Sequence, residues 1–493
     1  MLILPKFIRS YSVSRKRRAF KKGQLIEVDI SDMAFGGKGI GKVVTEDGEF
    51  VIFVLNTIPG QKVLARVVKC KNRYAECKLD KVLVHSADET TSSFQTIPGA
   101  PYAKLPIKIQ ENYKKSTTLE LFKRIGKVEN IEDKLDSFIS SPETWHYRNK
   151  MEYSFSVIRY DLDEEKEYDD FGLGFKHRGT WWCVENMDKD SGLFDEDFEN
   201  NLHQIRKFCE KSGFPAWHPP KREGFFRHLV VRKSYYSNEL LINLITSSDE
   251  VHKFDIDGFL ELLKEILGTR LAGLFHTLND DTGDRTIGVN LKERLVYGKE
   301  KVVEQILGLD FEISMQSFFQ TNPKSAEKLY SKVADYALEN NSIGEGDVVM
   351  DLFCGTGTIG QILASKTENT KIIGVDIVPE AIVDAKRNAE RNNVAGLEFY
   401  AADVGKFLIQ YPQYKGKISC IVLDPPRAGI APKTLNKVID IKAKKIVYVS
   451  CNPATQARDT EILNEAGYKL SKFSLVDQFP HTSHIETIAV FEK

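Results

Sequence analysis

Apolar and polar residues alternate with a period of two in five short segments near the start of the chain. Successive side chains of a β-strand point to opposite faces of a sheet, so this alternation predicts strands with one buried face. Turn residues such as those of GG (36–37) and PG (59–60) separate the segments at spacings typical of a small closed barrel. We therefore expect a barrel over residues 23–84, with the strands QLIEVDI, GIGKVV, EFVIFVL, KVLARVVKC and YAECKLDKVLV.

Residues 85–310 show a less regular mixture of patterns. The polar stretch HSADETTSSFQ is typical of a linker, and apolar residues near a 3.6-residue spacing predict a helix over 107–125. Strand-like and helix-like segments follow, and we expect the acidic stretch at 161–170 to be an exposed loop. Aromatic and basic residues interleave in several segments, which suits contact with unstacked bases, although buried rings beside surface cations give the same pattern. We assign this region to a mixed α+β central domain that binds RNA.

From residue 311 to residue 493, strand-like and helix-like segments alternate regularly. This alternation predicts a parallel, doubly wound sheet of the Rossmann-like kind. The last two segments have no helix between them, so we expect an antiparallel hairpin at the edge of the sheet. The predicted strands are VVMDLF, KIIGVD, LEFYAADV, ISCIVLD, KIVYVSC, YKLSKFSLVDQF and ETIAVFE.

The 493-residue chain is long enough for two to four domains. Its residues are 42% hydrophobic and 28% charged, and no apolar run approaches the roughly 20 residues that a membrane helix needs. We therefore expect a globular protein without a membrane span. The net charge of -1 conceals an asymmetry, because 17 Lys/Arg oppose 8 Asp/Glu through Lys81. This basic part of the chain is the candidate for contact with a polyanion such as RNA.

The first 22 residues, MLILPKFIRSYSVSRKRRAFKK, contain eight Lys/Arg and no acid. Their mixture of apolar, basic and serine residues is typical of mitochondrial presequences, and RSYS resembles a cleavage pattern of matrix precursors. The alternative is that RKRR (15–18) is a nuclear signal or an RNA-binding arm. We predict a location in the mitochondrial matrix, with a nuclear or cytoplasmic location as the alternative.

Seven cysteines are scattered along the chain, and no two are spaced as Cys-x-x-Cys. This odd number and irregular spacing argue against a disulfide framework and against a zinc site made of cysteines. We accordingly predict no metal site and a reducing compartment.

A glycine-rich segment, DLFCGTGTIG (351–360), follows the first predicted strand of the C-terminal region and begins a helix. Gly355 and Gly357 allow the backbone to approach a ligand, and the helix N-terminus offers unpaired N–H groups. The next strand ends at Asp376, where a carboxylate can accept both hydroxyls of an adenosine ribose. Asp403 ends the third strand and either binds an adenine amino group or caps a helix. These residues fit NAD and S-adenosylmethionine equally well.

The fourth and fifth strands carry the residues that distinguish the two ligands. Asp424 begins DPPR, a rigid loop in which Arg427 stands where amino methyltransferases place an aromatic residue. Dehydrogenases have no use for such a loop, so the NAD interpretation is disfavoured. Cys451 follows a core strand and precedes a helix, whose N–H groups can lower the pKa of the thiol. Cys354 also ends a strand, but it lies within the presumed cofactor loop.

Several motifs together resemble the S-adenosylmethionine-dependent RNA uracil-C5 methyltransferases, and the barrel motif GGKGIGKV resembles the TRAM domain. The similarity covers nearly the whole chain after residue 22 and is closest to the members that act on uridine 54 of tRNA. The other motifs are YRNKMEYSF, LGFKHRG, QSFFQTNPKSAEKLY, DLFCGTGTIG, VLDPPRAGI, VSCNPATQARD and HTSHIETIAVF.

The resemblance implies roles for individual residues. It implies Cys451 as the nucleophile that attacks uracil C6 and Glu486 as the base that removes the C5 proton, although the sequence alone favours a surface acid on an edge strand at position 486. It further implies tRNA as the partner, with rRNA as the alternative, and no obligate protein partner. Residues carried over for the cofactor are Gln320, Phe353, Asp376 and Asp424, and further candidates are Gly355, Gly357, Asp403, Arg427, His481 and His484.

One departure from the family concerns iron. Some relatives that act on rRNA hold an iron-sulfur cluster on four cysteines, whereas the corresponding segment here, TSSFQTIPGAPYAKLPIKIQ, contains none. We therefore predict no cluster. A non-catalytic tRNA-folding factor would lack Cys451, Glu486 or Asp376, and all three are present. A cytosine-C5 methyltransferase would carry a cysteine after a proline on the fourth strand, where this chain has Asp424 and Arg427.

Overall fold

A computed structural model of the chain describes residues 19–45, 48–286, 291–339, 346–368 and 370–493. Residues 1–18 of the predicted presequence thus lie outside the described residues. The chain forms two compact units, Met1–Glu89 and Thr90–Lys493. Strands and helices are numbered below in chain order.

The first unit contains a closed barrel of five strands in the order β1-β2-β3-β5-β4, as predicted. Alternate residues of β3 are buried, so the period-two pattern supplies the barrel core. At Gly41 a side chain is excluded, because a Cβ atom would lie 2.3 Å from the Val28 side chain and 2.5 Å from the carbonyl oxygen of Asp29. The strands are β1 Leu25–Ala34, β2 Lys38–Thr45, β3 Gly48–Leu55, β4 Lys62–Cys70 and β5 Tyr74–Val84.

The middle of the chain forms a seven-stranded sheet in the order β13-β12-β11-β10-β7-β8-β9. Helices α3 and α4 pack on it through buried apolar residues, and Asp195 caps α3 by accepting from the N–H of Phe198 at 3.0 Å. The elements are α1 Ile107–Arg124, α2 Ile131–Lys134, β6 Leu135–Ile139, β7 Lys150–Asp161, β8 Lys166–Lys176, β9 Val184–Asn186, α3 Glu196–Lys211, β10 Phe226–Lys233, β11 Leu240–Thr246, α4 Ile256–Leu267, β12 Leu271–Leu278, β13 Lys292–Gly298, and the hairpin β14 Lys301–Ile306 with β15 Leu309–Ser314.

The prediction of an exposed loop over 161–170 is confirmed for residues 162–165, which form an exposed turn, but is wrong for the rest, which belongs to β7 and β8. This stretch is the tip of the hairpin between β7 and β8, in which Asp161 pairs with Lys166. Arg159 explains why the acids are tolerated in strands, since its guanidinium binds Asp161 at 2.8 Å and Asp170 at 2.7 Å. Charged residues are compatible with strands where the sheet is exposed and the charges are paired across it.

The C-terminal sheet has eight strands in the order β18-β17-β16-β19-β20-β22-β21-β6. All are parallel except β22, which is antiparallel to both neighbours. The elements are α5 Pro323–Leu338, β16 Val348–Leu352, α6 Thr358–Ser365, β17 Lys371–Asp376, α7 Pro379–Arg391, β18 Leu397–Ala401, α8 Val404–Gln410, β19 Ile418–Leu423, α9 Pro432–Ile441, β20 Lys445–Ser450, α10 Pro453–Glu465, β21 Lys469–Val476 and β22 Glu486–Glu492.

The terminal hairpin is antiparallel as expected, but its predicted place at the edge of the sheet was wrong. β22 lies between β20 and β21, and β6 pairs with β21 to form the edge. The segment from α1 to β6, which the sequence interpretation assigned to the central domain, therefore packs with the C-terminal sheet, and α1 contacts α10. Every residue of β19 and β20 is buried, as expected for parallel strands covered by helices on both faces. In the described part of the chain, no helix is long and apolar enough to cross a membrane.

Candidate active site

Four neighbouring strands of the C-terminal sheet, β17, β16, β19 and β20, end at one edge. Parallel strands share their direction, so residues at their carboxyl ends come together there. The residues at these ends are Asp376, Phe353, Asp424 and Cys451. The structure thus brings together most of the site residues that the sequence predicts.

The register between β20 and β22 brings Cys451 and Glu486 together. Ser450 lies opposite Thr487, and the Thr487 hydroxyl donates to the carbonyl oxygen of Ser450 at 3.1 Å. The same register continued by one residue puts Cys451 opposite Glu486. Directly opposed residues in antiparallel strands have Cβ atoms about 4.5–5.5 Å apart, so a partly exposed thiol and a buried carboxyl group are neighbours.

The pKa of the Cys451 thiol is raised, whereas the sequence predicts a lowered one. Burial and, after it, the Glu486 carboxylate raise the pKa of the thiol to about 11. The Arg427 guanidinium, which hydrogen bonds to the thiol, acts in the opposite direction. The expectation of a lowered pKa was therefore wrong, because burial of the thiol and, after it, the charges of Glu486 and Asp424 raise the pKa. Arg427 is the nearby group that favours the thiolate.

The two carboxyl groups of the site hold their protons strongly. Glu486 is 2% exposed, and burial together with the Asp424 carboxylate raises its pKa well above the usual value, while Arg427 lowers it in part. Asp424 is partly exposed, and its desolvation raises its pKa to about 7. A carboxylate whose pKa approaches neutrality is a better proton acceptor than an ordinary one.

The loop that carries Cys451 is joined to the loop that carries Arg427. Asn452 caps α10 by accepting from the N–H of Ala454 at 3.3 Å. The Asn452 amide also donates to the carbonyl oxygen of Arg427 at 2.8 Å. One side chain therefore couples the start of the helix to the position of the guanidinium.

The glycine loop has a backbone conformation that requires glycine. Gly355 and Gly357 have φ angles of 52° and 73°, and Phe353 itself has a φ of 66°. A bulky residue in this region is strained, and such strain persists where the surroundings impose it. Asp376 stabilises the loop, since it accepts from the N–H of Gly355 at 3.0 Å and from that of Val378 at 2.9 Å.

The geometry at this loop fits the predicted nucleoside cofactor. A Cβ atom on Gly355 would meet nothing within 4 Å, so open space adjoins the backbone there. Asp351, which the sequence analysis did not single out, is buried, and burial raises its pKa to about 7. Within the described residues, one of its oxygens accepts from the N–H of Gly360 at 2.9 Å and the other has no partner. The position of Asp351 just before the glycine loop is visible in the sequence and marks it as a candidate site residue.

Gln320 enters this region from a different element. The residue is 7% exposed, and its backbone carbonyl oxygen accepts from the side-chain amide of Asn149 at 3.0 Å. It lies just before α5, whose buried Tyr330 hydrogen bonds to the Gln320 side chain. Burial and the nearby charges of Asp424 and Glu486 raise the pKa of Tyr330, so its phenol lies close to both carboxyl groups. Sequence reasoning missed Tyr330, because a tyrosine at helical spacing is ordinarily a core residue.

Three of the additional candidates have local structural roles. Asp403 caps α8 by accepting from the N–H of Lys406 at 2.9 Å. His481 is buried, stacks on Trp145 and hydrogen bonds to Gln110. His484 is exposed at one side, but the protein that surrounds the rest of its ring and, after it, the charge of Arg427 lower its pKa to about 4. Of the two histidines, His484 thus has the closer electrostatic link to the site.

Comparisons with known proteins agree with this geometry. The family model described as tRNA (Uracil-5-)-methyltransferase matches residues 274–493, and the TRAM domain model matches residues 19–79. An RNA methyltransferase of Clostridium tetani is 36% identical over 479 residues, which are 95% of this chain and 98% of the relative. A Chlorobaculum tepidum RNA methyltransferase is 34% identical over 96% of this chain and 97% of its own.

The chain belongs to the RNA uracil-C5 methyltransferase family.

A solved structure agrees with this family membership over almost the whole chain. It is the tRNA (uracil-54, C5)-methyltransferase of Pyrococcus abyssi in complex with S-adenosyl-L-homocysteine. The two chains are 26% identical, with a TM-score of 0.68, and the match covers 94% of this chain and 100% of the other. The predicted fold is confirmed: a TRAM barrel, a central domain and an S-adenosylmethionine-dependent methyltransferase domain.

The aromatic and basic stretches of this methyltransferase separate into core and surface. Phe226 and Arg227 are fully buried, and the Arg227 guanidinium donates to the carbonyl oxygens of Asn279, Asp281 and Gly283. Trp181, by contrast, is 57% exposed. Most of the interleaved pattern is therefore explained by packing, and Trp181 is the ring in these stretches that is most available for contact with RNA.

Two glycines of the methyltransferase loop allow a matched test of the cofactor site. Gly357→Ala is expected to destabilise the protein by about 3 kcal/mol, because positive φ disfavours alanine and a new Cβ would lie 2.6 Å from the Phe399 ring. Gly355→Ala is expected to cost about 1 kcal/mol, since its Cβ meets open space. It should nevertheless weaken S-adenosylhomocysteine binding at least about tenfold by filling that space. Urea denaturation and titration calorimetry measure the two effects, and unchanged affinity in Gly355→Ala would contradict the placement of the ligand.

Proposed function

We propose that this protein transfers a methyl group from S-adenosylmethionine to C5 of a uridine in RNA, preferentially uridine 54 of tRNA, and so forms 5-methyluridine. The observation that carries the proposal is the register that puts Cys451 opposite Glu486 beside Asp424. The named activity of the Pyrococcus abyssi neighbour supports the choice of substrate. A uridine of mitochondrial rRNA is the alternative substrate.

Uracil C5 is too weak a nucleophile to take a methyl group directly, so the reaction begins at Cys451. The partly exposed thiol gives its proton to water, and the thiolate attacks C6. A C6–Sγ bond forms, the C5=C6 double bond breaks, and the electron pair moves to give an enolate whose C5 is nucleophilic. Covalent catalysis thereby divides one difficult step into easier ones. Arg427 favours the thiolate and stands beside the developing charge.

The methyl donor is held at the glycine loop. S-adenosylmethionine supplies an electrophilic methyl group when it is bound. Asp376 would hold the ribose, Phe353 would pack on the adenosine, and Gln320 would bond the methionine end. Asp424 follows β19, next to β20 and Cys451, where a side chain can contact the donor or the uracil. These residues would orient the methyl group toward C5 and exclude water from it.

Glu486 completes the reaction. After methylation C5 carries both the methyl group and a proton, and the Glu486 carboxylate takes that proton. The C5–H electron pair restores the C5=C6 double bond, the C6–Sγ bond breaks, and Cys451 leaves as a thiolate. Glu486 must first give up its own proton, and once it is ionised its raised pKa makes it a stronger base for this carbon acid. The uridine must leave its base stack to reach Cys451, which requires the RNA to be remodelled on the enzyme.

Mass spectrometry of nucleosides from cells lacking the protein tests the proposal. We expect 5-methyluridine to disappear from the tRNA of the compartment in which the enzyme acts, and to return when the wild-type gene, but not Cys451→Ala, is restored. Loss from rRNA alone would shift the assignment to rRNA. Normal 5-methyluridine in both RNA pools would refute the proposed activity.

Separate analysis of mitochondrial and cytosolic RNA addresses the location. The presequence over residues 1–22 is a prediction from the sequence, and residues 1–18 lie outside the described part of the chain. The relatives reported above are bacterial and carry no information on an organelle. We propose the mitochondrial matrix, which predicts that only mitochondrial RNA loses 5-methyluridine.

A further inference from the structure

The segment that leads into β22 is held by the buried face of α1. Lys114 of α1 donates from its ammonium group to a carboxylate oxygen of Asp477 at 2.6 Å and to the carbonyl oxygen of Phe479 at 2.9 Å. The Lys114 and Asp477 side chains are each 1% exposed. Burying two charges is costly unless the pair is well formed, so this contact fixes the geometry of both partners.

Gln110, one turn earlier on α1, holds the same segment at its far end. Its side-chain oxygen accepts from the backbone N–H of His481 at 2.8 Å. Its amide nitrogen donates to Nδ1 of His481 at 3.0 Å and to the carbonyl oxygen of Leu105 at 2.7 Å. The Gln110 side chain is fully buried, and its amide oxygen and nitrogen are both engaged.

His481 has a backbone conformation that only these contacts explain. Its φ is 65°, in the left-handed region that costs a residue with a Cβ about 1 kcal/mol or more. Its ring stacks on Trp145 with 3.5 Å between centroids, and its carbonyl oxygen accepts from the N–H of Tyr102 at 2.9 Å. Tyr147 adds a hydroxyl bond to the carbonyl oxygen of Pro480 at 2.8 Å. The surrounding protein therefore imposes the path of the segment.

A short chain of contacts connects this segment to Glu486. The carbonyl oxygen of Phe479, which Lys114 binds, also accepts from the Thr482 hydroxyl at 2.8 Å. That hydroxyl in turn accepts from the N–H of His484 at 3.1 Å. Ile485 is buried, and Glu486 then begins β22. The turn held by α1 thus determines where β22 starts, and with it the position of the carboxyl group.

We propose that Gln110 and Lys114 are positioning residues for proton removal from C5. The inference rests on the proposed function, in which Glu486 takes that proton while the C6–Sγ bond to Cys451 breaks. Cys451 lies between β20 and α10, and among the described residues no hydrogen bond joins its side chain to the turn at 477–481. Loosening the turn should therefore slow proton removal while leaving thiolate addition and methylation largely intact.

The test compares two reactions of the full-length enzyme. Turnover on ordinary tRNA requires proton removal, whereas tRNA containing 5-fluorouridine has no removable C5 proton and stops at the covalent adduct. The variants are Gln110→Leu and the double variant Lys114→Met with Asp477→Asn, which removes both buried charges together. Lys108→Met is the matched control, since Lys108 lies on the same helix but is exposed and pairs only with Glu111 in the described structure.

We expect turnover to fall by about ten- to a hundredfold in the first two variants. Adduct formation with the 5-fluorouridine tRNA should stay within about twofold of wild type, and a denaturation-resistant adduct should accumulate on ordinary tRNA. Lys108→Met should resemble wild type in all three measurements. Gln110→Glu, which keeps the acceptor for the His481 N–H, should recover part of the turnover.

Three results would overturn the inference. They are turnover and adduct formation that fall in parallel in the two variants, turnover that is unchanged in both, and, where neither variant folds, a folded Gln110→Glu in which turnover and adduct formation fall in parallel. The failure of the proposed function itself looks different, because wild-type enzyme would then form no adduct with 5-fluorouridine tRNA.

Discussion

Replacing Cys451 by alanine is expected to abolish RNA methylation, with a loss of at least about 10⁴-fold. The enolate forms only when a thiolate adds to C6, and within the described part of the chain the neighbouring side chains of the site are carboxylates and a guanidinium, with no second thiol opposite Glu486. Transfer of labelled methyl groups from S-adenosylmethionine to tRNA measures the loss. With tRNA containing 5-fluorouridine, the wild-type enzyme should give an adduct that survives denaturing electrophoresis, and Cys451→Ala should give none.

Cys354→Ala provides the matched control. Cys354 also follows a strand of the sheet, but burial raises the pKa of its thiol well above the usual value, and it lies in the glycine loop. This variant should still form the adduct, whatever its affinity for the cofactor. An adduct that persists in Cys451→Ala and disappears in Cys354→Ala would exchange the roles of the two cysteines.

The rate of adduct formation should also depend on pH in a definite direction. The pKa of Cys451 is raised to about 11, so the thiolate is the minor species at neutral pH and its fraction grows as the pH rises toward that value. Adduct formation should therefore accelerate between pH 7 and pH 9. Removing the nearby positive charge in Arg427→Ala raises the pKa further, which moves the acceleration to higher pH.

Replacing Glu486 by glutamine is expected to stop the reaction one step later. Addition and methylation proceed, but no carboxylate removes the C5 proton, so Cys451 stays bonded to C6. Turnover should fall by about 10²–10⁴-fold. A methylated covalent adduct should accumulate on ordinary tRNA, and denaturing electrophoresis with doubly labelled tRNA and methyl donor detects it.

Glu492→Gln is the control for this prediction. Glu492 ends the same strand but is exposed, and it pairs in register with Lys445 and Lys469, far along β22 from Cys451. Its replacement should change neither turnover nor adduct level. Rapid turnover in Glu486→Gln without an adduct would remove Glu486 from the reaction and require a different base.

The parts of the fold that sequence predicted well are those encoded by local patterns. The barrel strands alternate with a period of two around a small core, and the parallel strands are continuous apolar runs, as burial on both faces requires. Cys451 was identified for the same reason, since an apolar strand that runs directly into a capped helix indicates the ligand edge of an α/β sheet.

The burial of Glu486 cannot be predicted from the local sequence pattern. In sequence it is an acid at the start of a terminal strand, and a surface position is the simplest interpretation. It is buried because β22 inserts between β20 and β21, and that insertion depends on pairing between segments far apart in the chain. The structure shows its burial near Cys451, and its proposed role as the base comes from the family resemblance.

The expectations that were wrong also depend on contacts between segments far apart in the chain. The pKa of Cys451 depends first on burial and then on Glu486, Arg427 and Asp424, which come from different segments, whereas the helix N-terminus was the influence visible locally. The edge strand β6 and the contacts of Gln110 and Lys114 with the turn before β22 are likewise long-range. Periodicity predicts which residues are buried, but not which distant residue they meet.

Peptide mass spectrometry of the 5-fluorouridine adduct tests the central claim most directly. The wild-type enzyme is incubated with S-adenosylmethionine and 5-fluorouridine tRNA, and the adduct is digested with protease and nuclease. The account predicts a methylated fluorouridine linked to the peptide that contains SCNPATQAR, with fragment ions that locate the link at Cys451. A link at Cys354 or at any other residue, or the absence of a linked peptide, would contradict it.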